Sequence, residues 1–162
     1  PIAAVYQRFL DGTGMIPGPL RLMSASPGLF ELYTQGFAYW PGHATLSPPL
    51  LASIRYLVAC EECFEACDTF NAHMLQAQGM TSEELVQLRD DPRTAPLEDK
   101  ETELLAFVIE SLKDPKSATR EKIDALIQLG WTETDIYDAT YHGAVLVFLG
   151  RLMEIFGPVP TE

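Results

Sequence analysis

Gly79-Met80-Thr81-Ser82-Glu83-Glu84-Leu85 recurs in kind at Gly130-Trp131-Thr132-Glu133-Thr134-Asp135-Ile136. Each stretch offers a glycine to stop a helix, an apolar residue, a threonine to cap the next helix and an acid three residues after the threonine. The first is a full capping box, and in the second aspartate takes the glutamate's role. Each follows one helical segment and opens another, so the unit is a helix–turn–helix used twice. Residues 97–112 and 118–129 read as amphipathic helices separated by Asp114-Pro115, and a long apolar helix runs from 132 to about 156. Ser26-Pro27 and Ser47-Pro48-Pro49 each supply a serine cap with proline at the first helical position. Upstream, Asp11-Gly12-Thr13-Gly14 and Pro17-Gly18-Pro19 read as turn and linker chemistry after a short apolar start. No run alternates as a strand would. The expectation is an all-α fold of about seven helices in one domain, 1–162, with 1–25 as an N-terminal arm.

The charge balance excludes some functions. Eleven basic against 23 acidic residues leave a formal charge of −12, which repels phosphate backbones and anionic membranes. Nucleic acid and lipid surfaces are not expected partners. The most apolar late run, 144–149, is too short to span a bilayer. No signal-peptide pattern opens the chain, and the clustered cysteines suit a reducing compartment, so the chain reads as cytoplasmic. The apolar character of the last helix and of residues 29–40 points to burial against further copies, hence a homo-oligomer.

All three cysteines fall within eight residues, Cys60-Glu61-Glu62-Cys63-Phe64-Glu65-Ala66-Cys67. Positions i, i+3 and i+7 share one side of a helix, with neighbouring Cα atoms roughly 5–6 Å apart, inside the disulfide range. Such a set can work as a dithiol, or it can be a stripe of small core residues. Whether one helix runs unbroken through Glu61-Glu62 is open; a break would place Cys63 and Cys67 on a fresh helix ending near Gln78, before Gly79. Three thiolates with His73 match zinc by ligand type, yet three ligands on one helix face are hard to arrange tetrahedrally, and no metal is expected. Heme, flavin and nucleotide motifs are absent, so no organic cofactor is implied.

The cysteine segment, the Gly79-Met80-Thr81 turn, Leu97-Glu98-Asp99-Lys100-Glu101-Thr102-Glu103-Leu104-Leu105-Ala106-Phe107, Ser117-Ala118-Thr119-Arg120-Glu121-Lys122-Ile123 and Leu129-Gly130-Trp131-Thr132 follow one another in an order that resembles the carboxymuconolactone decarboxylase family, including its alkyl hydroperoxidase D (AhpD)-like branch. The resemblance covers residues 26–157 and is closest over 79–157. It implies an all-helical subunit that assembles into trimers or hexamers. In the peroxidase branch it implies a Cys-x-x-Cys-x-x-x-His motif with an upstream glutamate, where a histidine–glutamate relay activates a cysteine pair that cycles through a disulfide. The decarboxylase branch implies acid–base chemistry without the pair.

The motif itself is altered. With Cys60 and Cys63 as the pair, Cys67 stands where histidine belongs. With Cys67 as second cysteine, Asn71 takes the histidine position and Phe64 the first cysteine's, and Cys63 lies one residue early. His73, six residues after Cys67, lies about 240° around a regular helix. Residues 46–58 contain no glutamate. The catalytic expectation is a Cys63/Cys67 dithiol with Cys63 or Cys60 as exposed attacker and Cys67 as deeper partner. Arg55 is a cation within reach, His43, His73 or His142 are candidate bases, and Phe37, Tyr39, Trp40, Phe64, Phe70 and Tyr141 are candidate pocket aromatics. The implied function is a divergent thiol-disulfide oxidoreductase or peroxidase served by a dithiol reductant protein and a small peroxide. The alternatives are a catalytically lapsed oligomer that binds a small ligand, or an acid–base enzyme of the decarboxylase kind.

Overall fold

The structure, a computed structural model, describes residues 2–62 and 65–157, and for 65–67 the backbone alone. Among these residues there are nine α-helices and no strand: α1 (Ile2–Thr13), α2 (Gly18–Met23), α3 (Pro27–Gln35), α4 (Pro48–Glu61), α5 (Glu65–Ala77), α6 (Ser82–Asp90), α7 (Asp99–Lys113), α8 (Arg120–Gln128) and α9 (Glu133–Phe156). Two compact units result, residues 1–44 with 149–162, and residues 45–148.

The two quoted stretches build one motif twice. At the end of α5 the Gly79 N–H reaches the Gln76 carbonyl at 2.9 Å and the Met80 N–H reaches Leu75 at 3.1 Å. At the end of α8 Gly130 reaches Ile127 at 3.0 Å and Trp131 reaches Leu126 at 3.2 Å. This paired closure needs a left-handed residue, and Gly79 (φ +102°) and Gly130 (φ +99°) supply it without a Cβ clash. The apolar residue after each glycine is buried, as are Leu75 and Leu126 beneath. The capping half follows. The Glu84 amide donates to Thr81 Oγ1 while Glu84 Oε2 accepts from the Thr81 amide, and the Thr132–Asp135 pair repeats both bonds. Trp131 also donates its indole N–H to the Lys100 carbonyl at 2.9 Å, fixing the second turn to α7.

In unit 45–148 the core is built on α4 and α7. From Leu50 to Ala59 every residue of α4 except Arg55 is buried, because α5, α6 and α7 all pack on it. The helix is apolar nearly all round, as a central helix must be. Each fully buried leucine or isoleucine there contributes about 1.5–3 kcal/mol. The unbroken-helix alternative falls: α4 stops at Glu61, with Glu62 as its cap, and α5 starts at Glu65. Two carboxylates at the carbonyl end of a helix oppose its dipole, so their charge does not favour a stop there. Glu61 instead meets Lys113 of α7 at 2.9 Å.

The count of about seven helices rises to nine for two reasons. The break at residue 62 divides one expected helix, and the Pro17-Gly18-Pro19 segment is not linker. It opens α2, with Pro17 extended as the cap and Pro19 in the first turn, where a missing N–H costs nothing. Within residues 1–44, α1 packs on α3 through the edge-to-face pair Tyr6–Phe30, and Phe9 meets Phe37 in the same manner. No helix among the described residues is long and apolar enough to cross a membrane.

Candidate functional site

Cys60 sits in the last turn of α4 as a free, half-buried thiol. Arg89, at the end of α6, donates from its guanidinium to Cys60 Sγ at 3.2 Å and to Asp68 Oδ2 of α5 at 2.9 Å. Tyr56, one turn before Cys60, is buried beneath, with the Arg89 guanidinium carbon 5.8 Å from its ring centroid. Its hydroxyl donates to the Leu85 carbonyl at 3.5 Å. Three helices thus meet at one sulfur.

The thiol opens on a cleft of about 670 Å³ within unit 45–148, inside the size range of small-molecule sites. Leu57, Ile109 and Pro92 supply apolar wall, and the charged groups are Glu61, Asp68, Arg89, Asp90, Glu110 and Lys113. Burial pushes the Cys60 thiol up from its ordinary value, and the Asp68 carboxylate adds to this; Arg89 and the Tyr56 hydroxyl pull the other way without prevailing. The thiol is therefore protonated at neutral pH, and its reactivity rises with pH. Arg89 is shared between sulfur and carboxylate, which gives a test. Asp68→Asn leaves the guanidinium to Cys60 and is expected to raise iodoacetamide labelling of Cys60 at pH 7 roughly threefold, while Arg89→Met lowers it by a similar factor. Equal labelling in all three proteins would show that Arg89 does not tune the sulfur.

A second polar cluster lies inside the same unit. Arg55 Nε donates to Asn71 Oδ1 at 3.2 Å and its NH1 donates to His142 Nε2 at 2.9 Å. Since arginine only donates, Nε2 of His142 accepts and the ring is the Nδ1–H tautomer. Burial, and then Arg55, push the imidazole down to about 3, so it stays neutral. Asn71, which takes the motif's histidine position only when Cys67 is read as the second cysteine, is buried and is tied to an imidazole from α9 through Arg55.

The expected site residues fall in different places. Cys63 lies outside the described residues. Cys67 is in the first turn of α5, one turn before Asn71. His73 is exposed and lines a neighbouring groove of about 380 Å³ with Tyr56, Asp68 and Arg89. Of the candidate aromatics, Phe70 and Tyr141 do not line the Cys60 cleft, Phe37, Tyr39 and Trp40 belong to the other compact unit, and Phe64 lies outside the described residues. Arg89, Asp68 and Lys113 were not legible as site residues: an arginine in a last helical turn reads as a dipole partner. No group of three or more His, Cys, Asp or Glu residues able to hold a metal occurs among the described residues.

Neither a family model nor a curated protein matches the chain. Among solved structures, an uncharacterized peroxidase-related protein from Silicibacter sp. TM1040 superposes with a TM-score of 0.81, over 98% of this chain and 84% of that one, at 17% identity. At that identity the likeness shows the fold alone, and among the described residues that fold is all-helical, as expected from the sequence.

Proposed function

We propose that this chain is a thiol-disulfide oxidoreductase of the AhpD-like kind that reduces small hydroperoxides, with Cys60 as attacking sulfur and a second thiol from Cys63 or Cys67. The observation that carries this reading is the Cys60 thiol at a cleft mouth with a guanidinium 3.2 Å from its sulfur. In the first step Cys60 Sγ attacks the terminal peroxide oxygen, the O–O bond breaks, and the leaving alkoxide takes up the thiol proton as an alcohol. Arg89 offsets the negative charge on sulfur as it forms. The resulting sulfenic acid is attacked by the second thiol; the S–O bond breaks, water leaves and a disulfide forms. An external dithiol returns two electrons and two protons.

The fold likeness to a peroxidase-related protein and the packing of three cysteines into eight residues support the reading. So does the stop of α4 at Glu61, directly after Cys60. Tyr137, Tyr141 and Phe148 lie exposed along α9, which supports the homo-oligomer that belongs to the same proposal.

The test is thiol counting on native protein before and after hydrogen peroxide, by intact mass and peptide mapping. The expected result is loss of two thiols with a link that includes Cys60, reversed by a dithiol and absent in Cys60→Ser. Three slow, unlinked thiols would instead favour the lapsed, ligand-binding reading, to which the raised Cys60 thiol and Asn71 in the histidine position already lean.

A further inference from the structure

The charged groups of the Cys60 cleft are unevenly matched. Among the described residues four carboxylates, Glu61, Asp68, Asp90 and Glu110, line it against two cations, Arg89 and Lys113. Both cations are already engaged, Arg89 with Asp68 and Lys113 with Glu61, each at 2.9 Å. Glu110 is held by Lys122 at 2.9 Å and Arg93 at 3.3 Å, neither of which lines the cleft. An entering anion would find no unengaged lining cation and would have to break an ion pair. An entering cation meets Asp90, which makes no ion pair among the described residues, and the chain's formal charge of −12 adds a field of the same sign.

We infer that this cleft selects the substrate of Cys60 by charge, admitting small disulfides that carry amines and turning away those that carry carboxylates. The inference rests on Cys60 being the reacting thiol. Its sulfur attacks one sulfur of the disulfide as thiolate, the S–S bond breaks, a Cys60–S–S–R mixed disulfide forms, and the departing thiolate takes a proton from solvent. The disulfide is itself the oxidant. Leu57, Ile109 and Pro92 give the short hydrocarbon arm an apolar wall while its ammonium lies against Asp90.

The experiment reacts the reduced full-length chain with cystamine, 2-hydroxyethyl disulfide and 3,3′-dithiodipropionate, and follows the Cys60 adduct by peptide mapping. Each rate is divided by that of the same disulfide with N-acetylcysteinamide, which removes intrinsic reactivity. The expected order is cystamine, then the neutral disulfide, then the dicarboxylate, with about a tenfold span at low salt that contracts in 1 M sodium chloride. Glu110→Gln and Asp90→Asn are expected to narrow the span without abolishing the neutral adduct. Equal normalised rates, or a faster dicarboxylate, would overturn the charge selection while leaving Cys60 as a reactive thiol. Absence of a Cys60 adduct from all three, neutral included, would overturn the thiol reading and this inference with it.

Discussion

Gly143→Leu is expected to cost about 3 kcal/mol of stability, at the upper end for overpacking a core. Gly143 lies on α9 where that helix presses on α4 and α7. A Cβ built there meets Leu112 Cδ1 at 2.6 Å, Ile54 Cγ2 at 3.1 Å and Val108 Cγ1 at 3.4 Å. Ile54 and Val108 are completely buried and β-branched, so they have few rotamers to retreat into. Leu112 is only half-buried, and its methyl is the end of a movable side chain. Gly143→Ala is therefore milder, because the gain in helix propensity of about 1 kcal/mol offsets much of the crowding. Urea unfolding midpoints of the two variants check this, and Leu112→Ala is expected to rescue part of the loss in Gly143→Leu. A Gly143→Leu midpoint equal to the parent's would mean that α9 is free to shift, and that the close approach is not enforced by the core.

Acidification from pH 7 to pH 5 is expected to remove about 2 kcal/mol of stability through His142 alone. Its imidazole is held down to about 3 in the fold, first by burial and then by Arg55, against 6.5 for an ordinary histidine. Below about pH 6.5 the unfolded chain therefore binds a proton that the folded chain refuses until about pH 3. Stability is full above pH 6.5 and falls as pH drops through that window. Glu84, held down by its hydrogen bonds from Thr81, and Glu110, held down first by Lys122, also make the fold acid-sensitive, but only below the ordinary carboxylate range. Urea midpoints at pH 7 and pH 5 isolate the histidine, and His142→Gln is expected to flatten the difference. If His142→Gln loses as much as the parent, the acid sensitivity belongs elsewhere.

The legible parts of this chain were those written in local chemistry. The Gly79 and Gly130 stops, the Thr81 and Thr132 caps and the proline-led starts of α3 and α4 use residues whose backbone and hydrogen-bonding preferences act within a few positions. Pro17-Gly18-Pro19 was misread because proline marks a linker and a first helical turn equally well, and only packing against neighbouring helices distinguishes them. The break between α4 and α5 stayed open in the sequence for a related reason. The carboxylates of Glu61, Glu62 and Glu65 oppose the dipole of a helix that ends there and complement that of one that starts there, so local charge favoured neither reading.

The site was less legible than the fold, because its members are distant in the chain. Cys60 meets Arg89 and Asp68 from three different helices, and Arg55 joins Asn71 to His142 across α4, α5 and α9. His142 and Arg55 stood out in the sequence as a candidate base and a candidate cation, yet nothing local indicated that the cation would hold the imidazole neutral. By itself the sequence determined the helices, their caps and the crowding of three cysteines near one helix end, since each rests on contacts within about one or two turns. Only the tertiary structure decided which charges face the Cys60 sulfur, because a thiol's reactivity follows from groups that the chain brings together by folding.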